Sequence, residues 1–222
     1  WDYWTPPLSM PYHCRTRLET IPADIPYVQA EPQAAARWAT ELAGHGAATD
    51  LRVGLVWRGN PRFENDADRS LPGLTLLEPL GTMGGLCWFS LQKGAGEDEA
   101  AHPPPGLPLV HLGPRITDFA DAAAIVANLD LIITVDTAMA HLAGALGKPC
   151  WVLLPDYKPD WRWLTDRNDS PWYPGVMRLF RQPRPGDWTT VLEDLATSLR
   201  QALARRRPPP GHLANERGMC YK

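Results

Sequence analysis

The chain has 222 residues, among them 24 prolines and 10 tryptophans, and a formal net charge of −3. That charge gives no basic footprint for nucleic acid, and no apolar run is long enough to span a bilayer. Four scattered cysteines, Cys14, Cys87, Cys150 and Cys220, form no CxxC pair and no zinc spacing, which fits a reducing, cytoplasmic setting without a resident metal.

The chain opens on Trp1 rather than Met, as a fragment or processed product would. Residues 1–28 are rich in proline and aromatics and show no clear period. With the next segment they read as the remnant of an upstream domain and a linker helix, 1–48. The run EPQAAARWATELA predicts a helix over 31–43, with Pro32 in its first turn. Gly44-His45-Gly46 ends it. From Leu51 the pattern becomes strand–helix alternation. Strands are expected over 51–57, 87–92, 107–112, 131–135, 150–154 and 177–180. Helices are expected over 74–82, 118–129, 138–146 and 188–204. Short apolar strands alternating with helices imply an α/β domain over 49–204: a Rossmann-like parallel sheet with helices on both faces. Residues 205–222 read as a disordered tail.

The segment LDLIITVDTAMAHLAGALGKPCWVLLP carries the most chemistry. A buried strand ends in Asp136-Thr137, and a small-residue helix begins at Ala138. Such a turn exposes backbone N–H groups at the positive end of a helix, a ready anion site. Thr137 and His141, four apart, share a helix face that leans back toward the turn. A diphosphate there would meet both side chains. Asp136 would cap the helix or accept from a ribose hydroxyl. The bland alternative makes Asp136 and Thr137 simple caps and His141 a core residue.

Other strand ends offer further candidates. After the first strand, Arg58, Gly59 and Asn60, with Arg62 and Arg69 beyond, would bring guanidinium groups and a close backbone approach to a phosphate. A solvated mixed-charge loop explains the same residues. Gln92 and Lys93 follow the next strand and could read a base or a phosphate. Asp118 and Phe119 open a helix, where Asp118 suits an N-cap. The Trp-rich block at 155–174 places Trp161 and Trp163 either as a cleft wall for a ring or as a satellite core. No GxGxxG and no P-loop is present.

VDTAMAHLAGALGKP resembles the D-T-x-x-x-H-L-A-x-A-L-G-x-P signature of the heptosyltransferase-like glycosyltransferases, family 9. VGLVWRGNP, RSLPGLTLLEPL, FSLQKG and PDWRWLTDRNDSPWYPGVMRLFRQ are similar to the C-terminal region of bacterial tetratricopeptide-repeat proteins that end in such a region. The resemblance implies the donor-binding half of a GT-B enzyme and inverting, metal-independent transfer. A nucleotide-sugar would be substrate rather than cofactor. Asp136, Thr137 and His141 would hold the diphosphate, and Arg69 would lie at a phosphate-ligand position. Gln92, Lys93, Asp118 and Phe119 would lie near the nucleoside. The general base would come from an upstream domain of the same polypeptide; His13 is the sole nearby candidate in this chain. The acceptor, whether glycan, lipid-linked molecule or protein, is left open. The alternative is a non-catalytic nucleotide-sugar-binding or scaffold module.

Overall fold

The computed structural model describes residues 1–206. Six strands form one parallel sheet: β1 (Leu51–Val56), β2 (Leu86–Ser90), β3 (Leu109–His111), β4 (Leu131–Val135), β5 (Cys150–Leu154) and β6 (Met177–Arg181). Their order is β3-β2-β1-β4-β5-β6. The chain therefore winds outward in both directions from the β1/β4 pair, where Val53 sits opposite Leu131 and Val56 opposite Thr134. The α-helices of the described residues are α1 (Met10–His13), α2 (Pro32–Leu42), α3 (Asp66–Arg69), α4 (Glu78–Gly81), α5 (Glu97–Ala101), α6 (Phe119–Val126), α7 (Ala138–Ala145) and α8 (Trp188–Arg206).

Both faces of the sheet are covered, which is why its strands read as continuous apolar runs rather than alternating ones. On one face Ile132, Val152 and Leu179 pack with residues of α2, α6 and α7. On the other, Leu131, Ile133, Val135 and Phe180 meet Leu74, Leu77, Leu80 and the stripe Val191, Leu192, Leu195 and Leu199 of α8. That stripe has the spacing of one face of a helix. The expected linker helix is α2, and it closes the first face by burying Ala34, Trp38 and Leu42.

Several boundaries shift for identifiable reasons. The 74–82 helix splits into a 3-10 turn, Leu74–Leu77, and α4, where Pro79 can sit only in a first turn. The 118–129 helix ends at Val126. There the Asn128 side chain donates to the carbonyls of Ala35 (2.8 Å) and Ala124 (2.9 Å). The expected tail does not begin at 205, because α8 continues to Arg206, which pairs with Asp130 at 3.2 Å. The rest of that tail, with Cys220, lies outside the described residues. Residues 7–20 hold short helical turns that no period announced. Farther on, the amides of Tyr27 and Val28 both donate to the Ala145 carbonyl at the end of α7 (3.0 and 3.1 Å). Cys87 and Cys150 are buried thiols, whereas Cys14 is exposed.

Candidate functional site

A cleft of about 1040 Å³ opens at the carboxyl ends of the strands. Its walls come from the loops after β1, β2, β3, β4 and β5, and its centre is the β1/β4 switch point, where open α/β sheets bind ligands. The cleft gathers most of the residues singled out from the sequence: Arg58, Gly59, Asn60 and Arg69 on one side, Gln92, Lys93, Asp118 and Phe119 on another. Asp136, Thr137, Ala138 and His141 form its base.

The turn after β4 is built as follows. Thr137 takes extended backbone (φ −135°) and its hydroxyl accepts from the Met139 amide at 3.3 Å. Thr137, not Asp136, is thus the N-cap of α7. The Thr134 hydroxyl donates to the Val135 carbonyl (2.8 Å), so in the 3.0 Å contact between the two threonines Thr137 is the donor. Both functions of the Thr137 hydroxyl are then occupied. The groups left for an anion are the orphan N–H of Ala138, at the first helical position, and the imidazole of His141.

His141 is half-buried on α7 and held from two sides. Its ring stacks on Trp163 with centroids 5.2 Å apart and planes 11° from parallel. Its Nδ1 lies 3.0 Å from the Tyr173 hydroxyl. Burial holds the imidazole below its ordinary titration range, with Asp136 pulling the other way. Asp136 is 8% exposed. Burial raises its carboxyl, and the Trp163 side chain opposes that shift. At the end of β4 Asp136 lines the cleft, and the α7 cap falls to Thr137.

The tryptophans correct the expectation of a cleft wall. Trp163 is fully buried beneath His141. Trp161 is exposed, lies outside the cleft lining and packs edge-on against Trp172. The loop is a satellite core tied down by Arg181, whose guanidinium donates to the carbonyls of Trp163 (2.7 Å) and Arg167 (3.3 Å).

Around β1 and β2 the candidate side chains line the cleft but are occupied. Gln92 is 1% exposed, and its Oε1 accepts from the amides of Trp57 (2.9 Å) and Arg58 (3.0 Å). Its Nε2 donates to the carbonyls of Arg58 (3.0 Å) and Ala95 (2.7 Å). No hydrogen-bonding group of Gln92 remains to read a base; it welds the β1 and β2 loops together. Arg58 pairs with Glu99 at 3.0 Å and donates to the Pro72 carbonyl. Gly59 permits a close approach, but to its own loop: a Cβ there would meet Asp66 Oδ1 at 2.5 Å and Arg69 at 2.7 Å. Arg69 pairs with Asp66 through Nε at 3.1 Å, leaving the rest of its fork unpaired by that contact. Lys93 donates to the Gly113 carbonyl at 3.0 Å. Asp118 caps α6, accepting from the amides of Ala120 (2.8 Å) and Asp121 (2.9 Å), and leaves Phe119 exposed at the cleft edge.

His13 lies on α1 and is not part of the cleft lining. The lining also includes Phe63, Asn65, Thr117, Lys158 and Asp160, which the sequence did not single out. Asn65 donates to the Lys158 carbonyl at 3.0 Å, so the β1 loop reaches across the mouth of β4 to the β5 loop. Only the folded chain reveals that contact. Among the described residues no group of three or more His, Cys, Asp or Glu is placed to hold a metal ion. No described helix is long and apolar enough to cross a membrane.

The fold and cleft define a doubly wound parallel α/β unit whose ligand crevice lies at the carboxyl ends of its strands. Residues 76–157 match the profile of glycosyltransferase family 9 (heptosyltransferase), a span that runs from the 3-10 turn before α4 to the start of the β5 loop. The chain is 30% identical over 207 residues to protein FlbA of Caulobacter vibrioides, covering 91% of this chain and 34% of that protein. Its fold matches the ADP-heptose LPS heptosyltransferase II of E. coli (TM-score 0.50, 15% identity, 78% of this chain and 54% of that one). It also matches a family 9 glycosyl transferase from Veillonella parvula (TM-score 0.51, 14% identity, 81% and 54%). The chain thus spans about a third of the curated relative and about half of each solved structure. The Rossmann-like parallel sheet expected from the sequence is the fold observed.

Proposed function

We propose that this chain is the donor half of a sugar-transferring enzyme and binds a nucleotide-sugar through its diphosphate. One observation carries the reading: the cleft at the β1/β4 switch point has the α7 N-terminus as its base, with the Ala138 N–H and the second ring nitrogen of His141 left for an anion. The helix dipole and the unpaired part of the Arg69 fork supply positive charge, so the reading needs no metal to hold the diphosphate. The family 9 match at residues 76–157 supports sugar transfer as the activity class. The E. coli structural relative is an ADP-heptose enzyme, which makes ADP-sugars the first donors to test. Transfer would be inverting, in the cytoplasm, with the acceptor and general base held by another region of a longer polypeptide that includes tetratricopeptide repeats.

A binding-only role for the isolated chain has its own support. Of the carboxylates lining the cleft, Asp118 caps α6 and Asp160 pairs with Arg162 at 2.9 Å, while Asp136 is buried at the end of β4. Asp118 and Asp160 are thus held by the protein's own groups, which disfavours them as bases for an acceptor hydroxyl. Calorimetry with ADP, UDP and GDP, each with and without EDTA, tests the proposal. Binding of at least one nucleotide that survives chelation is expected; no binding to any of them overturns it. Release of nucleotide from sugar nucleotides by the 222-residue chain alone, dependent on an added acceptor, would overturn the binding-only role.

A further inference from the structure

We infer that Tyr173 is a positioning residue that orients His141 and fixes its single ring proton on Nε2, the nitrogen left for an anionic ligand. The inference rests on the proposed phosphate role of His141 and adds the group that makes that role possible.

The geometry leaves the ring little choice of orientation. Trp163 lies flat against one face of the imidazole, at 5.2 Å and 11°. Tyr173 holds Nδ1 at 3.0 Å. Tyr173 is itself seated on α7: a Cβ at Gly144 would lie 2.3 Å from its Cδ1, so the ring occupies the space that glycine leaves. His141 and Gly144 are three apart on the same helix, so α7 carries both the histidine and the seat of its partner.

The direction of the hydrogen bond decides what the cleft meets. If Nδ1–H donated to the phenol, Nε2 would present a lone pair to the cleft and repel a phosphate. If the phenol donates to Nδ1, Nε2 carries the proton and attracts one. A phenol is a far stronger acid than a neutral imidazole N–H, and an imidazole nitrogen is a far stronger base than a phenol oxygen. The stronger donor therefore pairs with the stronger acceptor, and Tyr173 donates. Burial favours the neutral forms of both groups, so the pair stays phenol and imidazole rather than ions. His141 and Ala138 both line the cleft, so the Nε2–H and the Ala138 amide become two donors available to one anion.

The test uses the whole chain with 15N-labelled histidine. Nitrogen–proton correlation spectra of the ligand-free protein, assigned with His141→Gln, report which nitrogen carries the proton. The Nε2–H form is expected in the parent protein and a mixture of both tautomers in Tyr173→Phe. A predominantly Nδ1–H ring in the parent, or an unchanged tautomer in Tyr173→Phe, overturns the inference. Gly144→Ala displaces the Tyr173 ring while keeping its hydroxyl and is expected to loosen the tautomer in the same way. Thermal melts check that each variant is folded when its spectrum is read. Affinity for ADP is then expected to fall roughly three- to ten-fold in Tyr173→Phe, the effect of one lost hydrogen bond. Because the tautomer is read without ligand, a parent protein that binds no nucleotide overturns the proposed function and leaves this inference to its own spectrum. A tautomer change with no loss of affinity overturns the role of His141 in holding the anion.

Discussion

The two sides of the cleft hold similar kinds of residue and treat them in opposite ways. The turn after β4 leaves its polar groups open toward the cleft: the Ala138 N–H and one nitrogen of His141. The turns after β1 and β2 present Arg58, Gly59 and Gln92 to the same cleft but occupy them internally, through Glu99, Pro72, Ser70 and one another. A polar residue at a strand end is therefore a candidate ligand by position only. Whether it can bind depends on how many donors and acceptors its own loop has already taken. The β1–β2 side acts as a rigid wall, and the β4 side as the contact surface.

The sharpest way to break this contrast is Gln92→Ala. If Gln92 is a weld, its loss leaves the Trp57 and Arg58 amides and the Arg58 carbonyl without partners in a buried site. A loss of about 3 kcal/mol in urea unfolding is expected, from two or more unmet groups at roughly 1–3 kcal/mol each. An unchanged unfolding midpoint with a large drop in nucleotide affinity would instead make Gln92 a ligand and erase the distinction.

On the β4 side the effects should run the other way. His141→Ala is expected to weaken nucleotide binding on the order of ten-fold or more, from one hydrogen bond to a charged group at roughly 1.5–3 kcal/mol. The buried ring should also mark the acid side of the stability profile. Its folded titration point lies below the ordinary value of 6.5. A depressed folded value means the contribution to stability is present above 6.5 and is lost as pH falls through the lower, folded value. His141→Gln should flatten that part of the profile, measured by melting temperature against pH. An acid limb that is identical in parent and variant would show that His141 has no part in it.

How much of this was legible beforehand depended on the range of the contact. The strands, α7 and its turn follow from local pattern, and β4 and β5 fall where the apolar runs put them. The sheet buries both faces, so those runs are unbroken, and Gly147-Lys148-Pro149 marks the end of α7 clearly. The cleft was legible too, because strand order places successive loops at one end. Occupancy was not. Gln92 reads as a polar strand terminus, and nothing in spacing reveals that residues 34 or 35 positions away take up its amide. Trp163 and Tyr173 lie in a loop rich in tryptophan, and only its return onto α7 shows that one stacks on His141 and the other bonds it. The cap fell to Thr137 rather than Asp136 because Asp136 is still at the buried strand end.

A smaller effect separates capping from binding at the same turn. Thr137→Ala removes the acceptor for the Met139 amide and the hydroxyl that meets Thr134. A loss of about 1 kcal/mol of stability is expected from the missing cap, with Thr137→Ser restoring most of it. Affinity should change only modestly, since both hydrogen-bonding functions of the hydroxyl are occupied within the protein. A serine variant that restores stability but not affinity, beside an alanine variant whose affinity falls ten-fold, would show that the threonine hydroxyl turns from Thr134 to the ligand on binding.

The smallest expected effect lies at the far edge of the cleft. Phe119 is 64% exposed at the start of α6, where Asp118 already caps the helix through its own carboxylate. Its ring therefore contributes little to the core, and Phe119→Ala should leave the melting temperature within a degree or two of the parent, as surface substitutions outside special contacts usually do. An exposed aromatic at a cleft edge has one use that a polar residue lacks, a flat face for a base. Stacking on a single exposed ring contributes about 1 kcal/mol at the low end of measured values, so nucleotide affinity should fall roughly five-fold. The control is inorganic diphosphate, which has no base. Its binding should be the same in parent and variant, because it meets the β4–α7 turn and Arg69 rather than the α6 edge. A variant that weakens diphosphate as much as ADP would show that Phe119 shapes the whole cleft, and the division between a stacking edge and an anion-binding base would not hold.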